Sequence, residues 1–376
     1  MYIPQRQLEN LNRIIRAGKV IVVYGPRRCG KTTLIKKMIE DLKEDHIFAD
    51  GEDIGVQDYL SSQSTEKLKR FMGGKKVLVI DEAQKIKNIA LNLKLMVDNI
   101  EGIKIIATGS SSFDLAREMG EPLVGRKYTL KMYPIAQIEL VKIERADQID
   151  SSLESRLIYG SYPEIVLMED DTARSLYLKE LISSALYRDI LEIDGVRHSD
   201  KLVRILQLLA FQIGKEVSCS EIGLQVGMSK NTVDRYLDLL EKCFVIFRLR
   251  GFSRNLRKEI SKNPRYYFYD NGVRNALVSN FNPLALRDDI GMLWENYVII
   301  ERIKKQEYTG ILSNNYFWRT YDRKEIDLIE EREGKLFGYE IKWSARKQKK
   351  PIEWTGEYKN SEYLVINREN YLDFIA

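Results

Sequence analysis

Residues 25–32 read Gly-Pro-Arg-Arg-Cys-Gly-Lys-Thr and fill every fixed position of G-x-x-x-x-G-K-S/T. The flanks narrow what such a chain can fold into. Lys19-Val-Ile-Val-Val-Tyr24 is an apolar, β-branched run, and Thr33-Leu-Ile-Lys-Lys-Met-Ile-Glu40 has helical periodicity. Strand, glycine loop and helix in that order build a phosphate cradle. Gly25 and Gly30 let consecutive N–H groups turn inward, and the helix starting near Lys31 adds the positive end of its dipole. The whole stretch Gly25, Pro26, Arg27, Arg28, Cys29, Gly30, Lys31, Thr32 and Thr33 is therefore expected to bind ATP. Lys31 would bridge the β- and γ-phosphates, and Thr32 would offer its hydroxyl to Mg²⁺. The plainer alternative is a glycine turn that precedes a helix, with Cys29 a loop spacer.

Hydrolysis needs an acid on the metal side. Lys76-Val-Leu-Val-Ile80 is a second buried-strand pattern and ends in Asp81-Glu82-Ala83-Gln84. At the carboxyl end of a parallel strand these acids face the nucleotide crevice, so Asp81 is expected to hold Mg²⁺ through water and Glu82 to polarise the attacking water. A third strand, Ile103–Thr108, runs into Gly109-Ser110-Ser111-Ser112. Ser110, or else Thr108, is the candidate partner of the γ-phosphate or the water; a serine-rich helix cap is the alternative.

A chain of 376 residues suggests two to four domains, and its 44% hydrophobic and 31% charged content is that of a globular protein. No apolar run is long enough to span a membrane and no leader pattern opens the chain, so a cytoplasmic protein with no membrane partner is expected. Three scattered cysteines and two histidines argue against a disulfide framework, a zinc site or a Ser-His hydrolase. A net charge of +5 permits nucleic-acid contact without requiring it.

Residues 1–135 alternate strands (near 19–24, 46–50, 76–81, 103–108 and 127–133) with helices, the pattern of an α/β parallel sheet covered on both faces. Residues 136–200 read as a helical lid. Residues 201–255 read as a winged helix: Gly227 marks a tight turn, Ser229 caps the next helix, and Phe244–Leu249 forms a strand. Lys230, Asn231, Thr232 and Arg235, near the start of that second helix, stand where a reading helix contacts DNA; protein contact or a rigid lid are the other uses of such a unit.

Residues 256–376 read as a third α/β unit holding a hairpin, Glu325-Ile-Asp327-Leu-Ile-Glu330 and Leu336-Phe-Gly-Tyr-Glu340-Ile-Lys342, turning before Gly334. Period-2 geometry puts Glu340 and Lys342 on one strand face, with Asp327 across from them. Two carboxylates there suit a Mg²⁺ opposite a scissile phosphate, with Lys342 and the helix-borne Glu295 as partners. A surface ion pair is the bland alternative, although acids inside apolar strands are costly without a task.

In this order the motifs resemble the prokaryotic AAA-type ATPases that carry a C-terminal domain of uncharacterised function, a group prominent in archaea and near the STAND NTPases. The likeness covers nearly the whole chain. It includes Gly25–Thr33, Leu78–Ala83, Thr108–Ser111, Gly125-Arg126, Gly160-Ser-Tyr-Pro-Glu164, Tyr187-Arg-Asp-Ile190, Tyr267–Gly272 and the Glu340-Ile-Lys342 strand. It implies a P-loop ATPase core using ATP and Mg²⁺, and a restriction-endonuclease-like C-terminal fold. It also implies a role for Arg126 as a γ-phosphate sensor or as a finger reaching a neighbouring subunit, with Arg188 a second finger candidate; a surface arginine fits Arg126 equally. Pro134-Ile-Ala-Gln-Ile-Glu139 departs from the group's usual Pro-Leu-Ser-Phe-x-Glu. The expected function is an ATP-driven device acting on DNA. The alternative is a regulatory switch that binds a protein partner and whose hairpin is catalytically dead.

Overall fold

The computed structural model describes residues 2–42, 44–109, 122–186, 199–253, 263–320, 324–344, 354 and 358–376. Its first sheet has the order β2-β3-β4-β1-β5, with β1 (Lys19–Tyr24), β2 (His46–Asp50), β3 (Val77–Asp81), β4 (Lys104–Gly109) and β5 (Lys127–Lys131). Every neighbouring pair is parallel. β1 and β2 fall where the pattern puts them, and the other three differ at their ends by one or two residues.

Alternation explains why this sheet is buried on both faces. Val20, Val22, Leu78, Ile80, Ile105 and Ala107 point into one core, with helices α3 (Ile54–Leu60), α4 (Thr65–Met72) and α5 (Ile89–Asn99). Ile21, Val23, Val77, Val79 and Ile106 point into the other, with α1 (Arg6–Ile14) and α2 (Lys31–Asp41). Each such Val, Leu or Ile side chain contributes about 1.5–3 kcal/mol by leaving water, so strands apolar at every position are stable only between two layers of helix. Parallel strands also bring their carboxyl ends together. The residues that follow Tyr24, Ile80 and Ala107 therefore meet along one edge.

The chain continues through α6 (Gln137–Leu140), α7 (Ala146–Tyr159), α8 (Pro163–Leu167), α9 (Asp171–Glu180) and α10 (Ser199–Phe211). It then forms α11 (Cys219–Val226) and α12 (Lys230–Lys242). Ser218 and Ser229 accept the first N–H groups of these two helices, and Gly227 closes α11 at φ 64°. The turn is tight: a Cβ on Gly223 would stand 2.6 Å from the Met228 carbonyl oxygen. Val233, Tyr236, Leu237 and Leu240 bury one face of α12 at helical spacing. The expected helix–turn–helix is thus present.

The strand that follows behaves differently from expectation. β6 (Ile246–Gly251) pairs antiparallel with β7 (Arg265–Phe268) and parallel with β8 (Asn314–Arg319). It thereby joins a six-stranded sheet of order β11-β10-β9-β8-β6-β7, completed by β9 (Glu325–Arg332), β10 (Lys335–Ile341) and β11 (Ser361–Ile366). The expected division at 255/256 therefore does not separate two packed units. One hydrophobic core runs from Tyr133 through Leu206, Leu237 and Tyr267 to Ile375. Helices α13 (Asn271–Leu277), α14 (Ile290–Thr309) and α15 (Tyr371–Ile375) complete the chain.

α14 is the axle of this half. Arg302 makes two bonds to the Glu330 carboxylate, at 2.6 and 2.9 Å, and donates to the Phe374 carbonyl at 2.9 Å. Glu330 is fully buried and Arg302 nearly so. Arg302→Ala strips two of the three guanidinium bonds from a buried carboxylate and leaves it only Arg332, 3.1 Å away and partly exposed, so an equilibrium denaturation curve should lose about 3 kcal/mol of stability. Removing both charges, as Arg302→Met with Glu330→Leu, should recover most of it. A loss below 1 kcal/mol in the single variant would contradict this reading.

Candidate nucleotide site and C-terminal carboxylate cluster

The loop after β1 is shaped by close contacts. A Cβ on Gly25 would lie 2.2 Å from the Met132 carbonyl oxygen, so only glycine fits where the loop leaves the sheet. Gly30 takes φ 98° as the N-cap of α2. Within this frame the Lys31 ammonium, 5% exposed, donates to the carbonyls of Gly25 (3.0 Å) and Pro26 (2.8 Å). Lys31 is thus held inside the curve of the loop, at the positive end of α2, where a phosphate chain finds N–H groups and a cation together.

The acid side is linked to the loop side. The Thr32 hydroxyl donates to Asp81 Oδ2 at 2.8 Å, the Thr108 hydroxyl donates to Asp81 Oδ1, and the Glu82 N–H donates to Thr108 Oγ1 at 3.1 Å. Three elements thus converge: α2 with Thr32, β3 with Asp81 and β4 with Thr108. A hydroxyl and a carboxylate in contact form the hard-oxygen donor set that suits Mg²⁺. Thr108 is fully buried and engaged with Asp81, so it positions the acid. Ser110, like Arg188, lies outside the described residues. Glu82 adopts a left-handed backbone (φ 49°, ψ 43°) and its Oε2 accepts from the Gln84 amide.

Of the other loop residues, Arg28 faces outward and Cys29 inward. Arg28, at φ 60°, sits 5.4 Å over the Tyr177 ring of α9 and 3.9 Å from Glu164 of α8, tying the loop to the helices behind it. Cys29 is fully buried, and burial pushes its thiol pKa up, which suits an inert spacer. Sequence reasoning missed Gln5, whose amide donates to the Cys29 carbonyl at 3.3 Å and abuts Gly30. It precedes Cys29 by 24 residues and matches no motif.

Arg126 is displaced from its expected place. Its carbonyl accepts from Val20, at the amino-terminal end of β1, and its guanidinium pairs with Asp98 at 2.7 Å. Five residues of strand separate that level from the loop, roughly 16 Å at strand rise. That level lies away from the phosphate loop of its own chain, and the ion pair with Asp98 fits the plain surface arginine.

In the C-terminal half β9 and β10 pair through a turn at Glu333-Gly334, both at positive φ, with Tyr339 opposite Leu328. The register carries Glu340 opposite Asp327. Lys342 Nζ lies 2.7 Å from Glu340 Oε1 and 3.6 Å from Asp327 Oδ2, and that second oxygen also accepts the Ile341 N–H at 2.8 Å. Arg265, unforeseen from sequence, stands 3.7 Å from Asp327, 4.0 Å from Glu295 and 2.6 Å from Glu325. Tyr267 donates to Glu295 at 2.7 Å.

Burial, then the neighbouring Asp327, raises Glu295 to about 8 and Glu340 to about 7. Burial also lifts Asp327 above the usual carboxylate range. Burial disfavours a charged Lys342, but Asp327 and Glu340 outweigh it and hold its pKa above the ordinary lysine value. Asp327, Glu340, Lys342 and Glu295 are thus brought together, but around two cations. Among the described residues no group of three or more His, Cys, Asp or Glu side chains is arranged to hold a metal. Two carboxylates remain as donors, and Glu340 Oε2 is buried without a hydrogen bond.

On α12, Lys230, Asn231 and Arg235 are exposed, while Thr232 is partly buried and its N–H and hydroxyl both bond Ser229 in the helix cap. Asp234 is exposed on the same helix, and Arg248 of β6 gathers Asp234, Asp238 and Glu241. The helix therefore carries both signs of charge. Among the described residues no helix is long and apolar enough to cross a membrane.

Comparison with known proteins supports the first half of this description. Residues 17–141 match the family described as "AAA domain". Residues 150–284 and 290–371 match two families described as domains of unknown function, DUF8612 and DUF4143. The breaks between these matches differ from the expected 135/136, 200/201 and 255/256. An uncharacterised protein of Mycobacterium tuberculosis is 26% identical over 338 residues, covering 88% of this chain and 72% of its own. One of Methanocaldococcus jannaschii is 27% identical over 333 residues, covering 83% and 72%. The Walker-type ATPase of Pyrococcus abyssi superposes with a TM-score of 0.48 at 18% identity, over 73% of this chain and 94% of that one. The parallel sheet, its glycine loop and the AAA match together make the amino-terminal part an α/β P-loop NTPase fold of ATPase type.

Proposed function

We propose that this chain is a Mg²⁺-dependent ATPase in which Lys31, Asp81 and Glu82 divide the work. The observation that carries this reading is the bonded chain Thr32–Asp81–Thr108–Glu82, which joins the phosphate loop to the acids of β3. Lys31 and the N–H groups of residues 25–33 bind and orient the phosphates. Thr32 and Asp81 would hold Mg²⁺, which would supply neutralisation of the charge on the phosphates. Glu82, one residue beyond Asp81, accepts a proton from the attacking water. The test is phosphate release from Mg-ATP, set against the Lys31 and Glu82 variants taken up in the Discussion.

For the output we propose that α12 contacts DNA through Lys230, Asn231 and Arg235. The helix–turn–helix geometry favours this, and Thr232 serves as a cap. The second reading is a STAND-like switch that engages a protein partner. It is favoured by Asp234 on the exposed face and by the self-paired Asp327–Lys342–Glu340 cluster, which on this reading is catalytically dead. A mobility-shift titration at several salt concentrations separates the two. DNA contact predicts binding that weakens steeply with salt and is reduced by Lys230→Ala with Arg235→Ala. Absence of binding at low salt would leave the partner reading. A live endonuclease-like site would show Mg²⁺- or Mn²⁺-dependent cleavage that vanishes in Glu340→Ala; cleavage surviving that change excludes Glu340 as its source.

A further inference from the structure

We propose that Gln84 is the positioning residue for Glu82, holding one carboxylate oxygen so that the other faces the attacking water; the proposal rests on the reading of Glu82 given above. The main chain at Glu82 is fixed before its side chain is considered. Its N–H is spent on Thr108, at 3.1 Å. A Cβ on Gly51 would come within 2.4 Å of the Glu82 carbonyl oxygen, so the end of β2 closes against it. Ala83, the next residue, is fully buried. The left-handed φ of 49° is itself uncommon for a residue with a side chain and persists only where its surroundings over-determine it.

A carboxylate on so fixed a backbone still turns about three side-chain bonds. Gln84 removes that freedom by donating from Nε2 to Glu82 Oε2 across the short turn Ala83–Lys85. The donor is an amide, and this matters chemically. A lysine or arginine there would fix the carboxylate as firmly but neutralise it, weakening it as an acceptor of a proton. A neutral donor orients without neutralising. Oε1 has no hydrogen bond among the described residues and is the oxygen left to meet water.

The test is steady-state ATP turnover by the full chain. Gln84→Ala is expected to lower kcat by roughly 10- to 100-fold, the scale of a misplaced reacting group, with KM for ATP within about twofold. The decisive measurement is the double variant. If Gln84 acts through Glu82, then Gln84→Ala costs nothing further in a Glu82→Gln background. An unchanged kcat in Gln84→Ala, a loss confined to KM, or a full additive loss in the double variant would each overturn the proposal. Those results leave the role of Glu82 intact, whereas full turnover in Glu82→Gln alone would remove the premise instead.

Discussion

Lys31→Ala should weaken Mg-ATP binding by at least about 100-fold in a direct titration. The lysine is 5% exposed and, among the described residues, its ammonium is bonded to two loop carbonyls and to no side chain outside the loop. A phosphate chain entering the loop competes for those same N–H donors of the ammonium. Charge-assisted hydrogen bonds are worth about 1.5–3 kcal/mol each, and two of them exceed the 2.8 kcal/mol that corresponds to 100-fold. Removal of a buried cation that the loop carbonyls alone solvate should cost the folded protein little, so a normal melting curve is expected alongside the lost binding. Unchanged affinity would contradict the assignment of the loop.

Glu82→Gln should separate binding from turnover. Glutamine keeps the size of the side chain but cannot accept a proton from water. A general base contributes about 10²–10⁴-fold, so kcat should fall by that factor while the affinity for Mg-ATP stays close to that of the wild type. Neither Thr32 nor Asp81, the residues assigned to Mg²⁺, is bonded to the Glu82 side chain, which is why binding is spared. The variant should accumulate with ATP bound, whereas the Lys31 variant should be recovered empty. These opposite failures, one of binding and one of chemistry, are what the division of labour between loop and strand predicts.

The parts legible in the sequence are those governed by local physics. Gly25, Gly30, Lys31 and Thr32 act within one loop, where steric freedom and charge spacing are written in consecutive residues. The β9–β10 hairpin is legible for the same reason: Glu333-Gly334 makes the turn, and period-2 alternation then sets Asp327 opposite Glu340. The helix–turn–helix is legible in Gly227 and Ser229, while the Ser218 cap appears only in the structure.

What stayed hidden depends on how distant segments dock. Nothing in Phe244–Leu249 says that β6 will pair with β8 some sixty residues later, and that pairing is what dissolves the expected boundary at 255/256. The level at which Arg126 stands was not legible, because a Gly-Arg pair after a strand does not reveal which end of the next strand it begins. Gln5 against Gly30, Arg28 against Tyr177 and Arg265 among Glu295, Glu325 and Asp327 are contacts between remote positions, and no spacing rule reaches them. Gln84 was in plain view beside the acids, but its role emerges only from the left-handed turn at Glu82.

The most direct test of the nucleotide centre is phosphate release from ATP by the wild-type chain and by Glu82→Gln, each measured with Mg²⁺ and with the metal chelated. Expected are Mg²⁺-dependent turnover in the wild type, loss of turnover on chelation, and turnover reduced by about 10²-fold or more in Glu82→Gln with ATP still bound. Equal turnover in the two proteins, or a wild type that releases no phosphate with Mg²⁺ present, would contradict it.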